Sequence, residues 1–209
     1  MDSARIIDCI AAVQAALLAR ETEIESLDRA IGDGDHFLNV KRGCEALMTL
    51  APELASLAAD AAFNRIGTKL MSTVGGASGP LLASFFLAMG RTLGGQTQAN
   101  GVQFAQAFTA GVESIRLRGK AEVGEKTMLD VLIPVARLLL RLSEDGAPVE
   151  QICVRVKDEA ERGMLATRDM VATKGRAYFL GERSIGHIDP GSKTCQVAID
   201  AVCDLVSRA

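Results

Sequence analysis

Periodicity restricts this chain most: apolar residues recur every three to four positions along nearly its whole length, and no segment alternates apolar with polar at period two. Ile6, Ile7, Ile10, Val13, Leu17 and Leu18 trace the first stripe, the signature of an amphipathic helix. Glycine, proline and short polar runs then divide the 209 residues into eight expected helices. These run from Ile6 to near Leu27, Leu38 to Leu50, Ala51 to about Met71, and from Pro80 towards Gly94. The rest run from about 102 to 118, Thr127 to Leu142, Val149 to Ala166, and Gly191 to Val206. Helices of this length with short connections predict an all-α antiparallel bundle or barrel, formed as a single domain over residues 1–209.

Aromatic residues make up only 4% of the chain, with no Trp and one Tyr, which suits an interior of Leu, Ala, Val, Ile and Met. A net charge of −3 leaves no basic surplus, so nucleic acid is not an expected partner. Cys9, Cys44, Cys153, Cys195 and Cys203 are odd in number, scattered and never spaced C-x-x-C, which points to reduced fillers and away from disulfides or zinc. Met1 to Arg5 lacks the pattern of a signal peptide, and the apolar run Pro80–Met89 is about half of what spans a bilayer. The expectation is a cytoplasmic protein with no membrane partner.

Three carboxylates, Asp28, Asp33 and Asp35, fall within eight residues where a helix gives way to a loop, and Gly32 and Gly34 free the backbone to turn them towards one point. Convergent negative charge calls for a cation. Hard oxygens suit Mg²⁺, which is usually shared between one or two carboxylates and substrate phosphates. The same Gly-Asp-Gly-Asp composition also makes an ordinary solvated turn. A calcium loop of the EF-hand type is excluded, because its fifth and twelfth positions, counted from Asp33, would be Phe37 and Cys44. His36 and Asn39 lie one turn apart at the head of the next helix, where free N–H groups favour an anion.

Gly75-Gly76-Ala77-Ser78-Gly79-Pro80 is a second glycine loop running into a helix, equally a phosphate nest and a close-packing device. Gly119 to Thr127 comes near a Walker A loop, but Glu125 separates Gly124 from Lys126 and the spacing fails. The long connection 167–190 carries Lys174, Arg176, Arg183 and His187, enough to cover an anionic ligand or to form a plain surface loop.

Read together and in order, Leu27-Asp28 with IGDGDH, then GGASGP, KTMLDVLIP and KGRAYFLGERSIGHIDPG resemble the nucleotide-binding L subunits of dihydroxyacetone kinases, over about residues 27 to 191. The resemblance implies an eight-helix barrel with the nucleotide at one end and two Mg²⁺ on Asp28, Asp33 and Asp35 bridging the phosphates of ADP or ATP. It implies that His36 and Asn39 flank those phosphates, that Gly76, Ala77 and Ser78 approach them, and that Met128 meets the adenine. Arg176 and the Asp189-Pro190-Gly191 turn would close over the nucleotide, with Gly119 a further candidate.

In such kinases the ketose sits on a separate K subunit, bound to a histidine there, so this chain is expected to be inactive alone. The phosphoryl donor is either a phosphohistidine protein of a phosphotransferase system or free ATP, with erythrulose an alternative acceptor. A nucleotide-sensing regulatory role and a homodimer are further expectations. Four residues at three places depart from the pattern: Phe37 for a usual Gly, Glu125 for a usual Asp, and Tyr178-Phe179 for a commoner Ser-Tyr.

Overall fold

The computed structural model describes residues 1–208 and contains ten α-helices, two 3-10 segments and, among the described residues, no strand. The helices are α1 (Ser3–Leu18), α2 (Glu21–Ile31), α3 (His36–Met48), α4 (Ala51–Leu54) and α5 (Ala59–Thr73). They continue with α6 (Ser78–Leu93), α7 (Gly101–Gly119), α8 (Leu129–Glu144), α9 (Val149–Ala166) and α10 (Pro190–Val206). The 3-10 segments, Thr167–Asp169 and Arg176–Ser184, lie in what the sequence presents as one long loop.

The all-α expectation holds; the count rises because two expected helices are broken. Arg20 leaves helical geometry at φ −115°, ψ 14°, and α2 restarts with Glu21 and Glu23 in its first turn, where negative charge is favourable. Between α4 and α5 the backbone finds partners elsewhere: the Leu57 carbonyl accepts the Ser3 hydroxyl, and the Ala59 N–H donates to Thr97 O at 3.3 Å. Backbone groups satisfied across the fold need no continuous helix. Pro80 does not open α6 but lies inside its first turn, which begins at Ser78. Likewise Pro190, not Gly191, starts α10.

The eight long helices close into a ring in which each packs on two neighbours, in the order α1, α3, α5, α6, α7, α8, α9, α10 and back to α1. α2 lies on α3 and α10, and α4 on α1. Ala59, Ala62, Ala83 and Ala107 are fully buried inside the ring, and Leu54, Ile66 and Ile115 are at most 1% exposed. Phe85 meets Phe86 and Phe108 edge-on at 5.0 and 5.4 Å and lies over Gly111, where a Cβ would strike its ring. Among the described residues no helix is long and apolar enough to cross a membrane, and all five cysteines are free.

Pro134 stands inside α8 and lacks the N–H that would bond the Asp130 carbonyl. That carbonyl faces Gly163 of α9, where a Cβ would overlap its oxygen. Gly163→Ala should therefore destabilise the fold by about 1–3 kcal/mol, the usual range for overpacking, although alanine is the better helix former. An unchanged midpoint in urea unfolding would show that α9 can shift to admit the methyl.

Direction alternates around the ring, so connections fall into two sets. The Met1 ammonium bonds to Ala99 O at 2.6 Å and Ser3 to Leu57, which collects residues 49–58, 94–100 and 145–148 at one end with the N-terminus. The connections 19–35, 74–77, 120–128 and 167–189 gather at the other. All the motifs singled out above lie there.

Candidate functional site

Asp28 occupies the last turn of α2 and is 4% exposed. Its Oδ2 accepts the His36 backbone N–H at 3.0 Å, which ties the start of α3 to the end of α2 across Gly32–Asp35. A Cβ on Gly32 would coincide with Asp28 Oδ1, and Gly34 adopts φ 79°, so both glycines are required by geometry. This short link brings one carboxylate oxygen each from Asp28, Asp33 and Asp35 within 4.8 Å of one another, with Asp33 and Asp35 open to solvent. Three hard anionic donors converging at an exposed point form a donor set suited to a divalent cation.

Beside the cluster, Asn39 is buried, and its Oδ1 lies where a Cβ on Gly75 would come within 3.0 Å. The α5–α6 connection thus presses against the first turn of α3. Gly76 takes φ 66°, Ala77 is the uncapped N-cap of α6, and the Ser78 hydroxyl donates to Gly75 O at 3.3 Å. With no side chain capping it, the α6 N-terminus keeps backbone donors available to an anion.

The His36 ring turns the other way. Its Nε2 lies 2.8 Å from Thr194 Oγ1, and the Thr194 hydroxyl donates to Pro190 O at 2.9 Å, so the imidazole is the donor and carries its proton on Nε2. Burial pushes the His36 pKa down, against the pull of Asp28, Asp35 and Asp33. The ring's Nε2 proton thus goes to α10, while the His36 backbone N–H stays on Asp28 beside the cluster. Phe37, one of the departures, is 2% exposed and packs with Leu17, Ile24 and Val197 in the core, away from the cluster.

Arg176 reaches the cluster directly: its Nε is 3.0 Å from Asp33 Oδ2, in an exposed pair of the kind worth at most about 1 kcal/mol. Met128 is the N-cap of α8 and stands against Gly191, where a Cβ would lie 3.6 Å from Met128 Cβ. Gly119 ends α7 beside Leu81 of α6, away from the three aspartates in sequence and joined to them by no hydrogen bond. Asp189-Pro190-Gly191 is not a free turn but the cap and first turn of α10, with Asp189 Oδ2 accepting Ser192 N–H at 2.6 Å. Burial pushes the Asp189 carboxyl up to about 6, against the Ser192 hydrogen bonds that hold it down.

Two residues that sequence reasoning passed over organise this end. Lys126 is 1% exposed at φ 61°, and its ammonium donates to the carbonyls of Thr167 and His187. Burial lowers its pKa while Asp189, Asp169 and Asp130 hold it up. Asp130, 2% exposed, accepts Gly124 N–H at 2.5 Å and Thr127 N–H at 2.7 Å. Ser192 Oγ donates to Thr127 O at 2.7 Å, and Asp189 N–H to Thr167 Oγ1 at 3.0 Å. These bonds join the α7–α8 connection, the end of α9 and the start of α10 into one block. The available signal was a polar K-T-x-x-D at the head of an apolar helix.

The DAK2 domain family matches residues 30–204. The chain is 35% identical over 202 residues to a PEP-dependent dihydroxyacetone kinase ADP-binding subunit DhaL from Listeria innocua, covering 93% of this chain and 91% of that one. It is 40% identical over 185 residues to the PTS-dependent counterpart from Lactococcus lactis, covering 88% of each. In structure it resembles the dihydroxyacetone kinase from C. freundii solved in complex with AMP-PNP and Mg²⁺, with a TM-score of 0.76 and 26% identity over 97% of this chain but 34% of that longer one. On sequence match and on fold, then, this chain belongs to the DAK2 domain family, among the ADP-binding DhaL subunits of dihydroxyacetone kinases.

Proposed function

We propose that the chain is the nucleotide-carrying subunit of a cytoplasmic dihydroxyacetone kinase, holding ADP or ATP with two Mg²⁺ on Asp28, Asp33 and Asp35 and offering the terminal phosphoryl group to a ketose on a K subunit. The observation that carries this reading is the pairing of three carboxylates within 4.8 Å of one another with an uncapped glycine-loop helix N-terminus at the same end of the ring. Cation and polyanion sites at one end are what a metal–nucleotide complex requires.

The donor set fits: hard carboxylate oxygens, two of the three residues open to solvent, leave room for phosphate and water around a cation. When bound, Mg²⁺ would neutralise charge on the phosphoryl group in transit. The chain's own residues bind and orient. Gly76, Ala77 and Ser78 offer backbone amides to phosphate oxygens, and Asn39 supports that loop from below. Arg176 is within reach to add a guanidinium, while Met128 and Gly191 line a floor for adenine. His36, anchored on Thr194, positions the backbone that carries Asp35.

Ten of the twelve exposed large hydrophobic side chains belong to this end by their place in the helices and connections. Leu38, Met71, Leu117, Tyr178 and Ile185 are among them, and Phe179 is 81% exposed. Apolar surface concentrated around an open site marks a docking face. A K subunit seated there would exclude water from the reacting phosphoryl group.

Relatives 35–40% identical are named for dependence on PEP or a phosphotransferase system, whereas the L-erythrulose kinase from Pectobacterium atrosepticum is 30% identical. This supports ADP that stays bound and is rephosphorylated in place by a phosphohistidine protein. The test is to supply the chain with MgADP, a phosphohistidine donor, a K subunit and dihydroxyacetone, and to follow dihydroxyacetone phosphate. Turnover without exchange of labelled ADP is expected, and Phe179→Ser should weaken K-subunit association about tenfold, ~1.4 kcal/mol, at unchanged MgADP affinity. Rapid exchange with ATP would replace the in-place mode, and no transfer from either donor would overturn the reading.

A further inference from the structure

A groove of about 590 Å³ runs along the outside of the ring between α8 and α9, away from the carboxylate cluster. Its floor is Pro134 and Leu138, half-buried on α8. Arg137 and Arg141 on α8 face Arg155 and Arg162 on α9 along its rims, so four of the chain's sixteen arginines, and no lysine, line one groove on a protein of net charge −3. Arg162 is bound to Glu159 of its own helix. Arg137, Arg141 and Arg155 are exposed and, among the described residues, make no ion pair.

This arrangement does nothing for the isolated helices. Like charges at i, i+4, as in Arg137 and Arg141, cost a few tenths of a kcal/mol, and Arg155 across the groove adds to the repulsion. Guanidinium is the cation best matched to carboxylate, binding it through two parallel N–H donors. Arg137 and Arg141 stand one turn apart, about 6 Å along the axis, the same rise that separates carboxylates at i, i+4 on a facing helix. The apolar floor between the rims accepts aliphatic side chains. A polyphosphate or nucleic-acid strand would gain nothing from Pro134 and Leu138, whereas Asp158 and Glu159, which also line the groove, act against any anionic occupant alike and leave the apolar floor to decide between them.

We infer that the α8–α9 groove docks an acidic amphipathic helix of a partner protein, its Glu or Asp pairs on Arg137, Arg141 and Arg155 and its apolar stripe on Pro134 and Leu138. The site is independent of nucleotide. Val123, at the nucleotide end of the groove, is also one of the exposed apolar side chains at that end of the ring, so one partner can span both surfaces.

The test uses the full chain and a fluorescein-labelled helical peptide with Glu at i, i+4 flanking a Leu stripe, read by anisotropy. Saturable binding is expected, weakened about tenfold or more in the Arg137→Glu/Arg141→Glu double variant and by Gln in place of Glu in the peptide, and weakened by salt. MgADP should leave it unchanged, which separates this site from the nucleotide reading. Absence of binding, or equal binding to a double variant whose thermal unfolding matches the parent, overturns the inference. So does tripolyphosphate or a single-stranded oligonucleotide binding more tightly through the same two arginines, an outcome that would give the groove to small anions or nucleic acid.

Discussion

Asp33→Ala should lower MgADP affinity by about 100-fold or more, roughly 2.7 kcal/mol, while the apo chain unfolds within about 0.5 kcal/mol of the parent. Asp33 is the clean member of the cluster to remove. Its only polar partner among the described residues is Arg176, in an exposed pair with little bearing on stability. Loss of affinity at constant stability would therefore report lost ligation and not a lost fold.

Asp28→Ala should lose the same affinity and also destabilise the chain, because its buried carboxylate holds the first N–H of α3. Removing that acceptor strands a donor at a cost of about 1–3 kcal/mol. Calorimetric titration with MgADP, and with ADP in EDTA, measures both variants. An Asp33→Ala chain that binds MgADP as tightly as the parent would remove the metal from the cluster and with it the nucleotide reading.

Lys126→Met should destabilise the fold by about 2–4 kcal/mol, since two inward carbonyls, Thr167 O and His187 O, lose their donor at about 1–3 kcal/mol each. Against this, methionine escapes the desolvation of a buried ammonium, which offsets part of the loss. The balance still favours lysine, because Asp189, Asp169 and Asp130 act favourably on its charge and would lose that compensating cation. For a chain of this length the change corresponds to a fall in Tm on the order of 10 °C. The effect should be largest locally: amide exchange should speed up across 167–189, and MgADP retention should fall with it. A variant with the parent's Tm and exchange pattern would reduce Lys126 to a filler.

Much of the site was legible because it is local. Asp28, Asp33 and Asp35 lie within eight residues, and Gly32 and Gly34 between them bend the chain for steric reasons that short-range patterns carry. The Gly75–Gly79 loop was equally visible, as was the helical character of every long segment. The breaks at Arg20 and between Leu54 and Ala59 were not, since apolar periodicity continues through both. The second depends on partners, Ser3 and Thr97, that lie far away in sequence. His36 illustrates the same limit. Its neighbours in sequence are three carboxylates, but its ring proton goes to Thr194, 158 residues on.

By itself, then, the amino-acid order determined an all-helical chain, a carboxylate cluster and a glycine loop, because periodicity, turn geometry and charge act over a few residues. The closed ring decided the rest. Packing α10 on α1 and α1 on α3 fixes which connections share an end, and so sets the cluster, the α6 N-terminus, Met128 and Arg176 at one mouth. It also buries Lys126 at the centre of that block and leaves Arg137 and Arg155 facing each other outside. Such juxtapositions arise from burying apolar faces between helices distant in sequence, a global balance that no local pattern records.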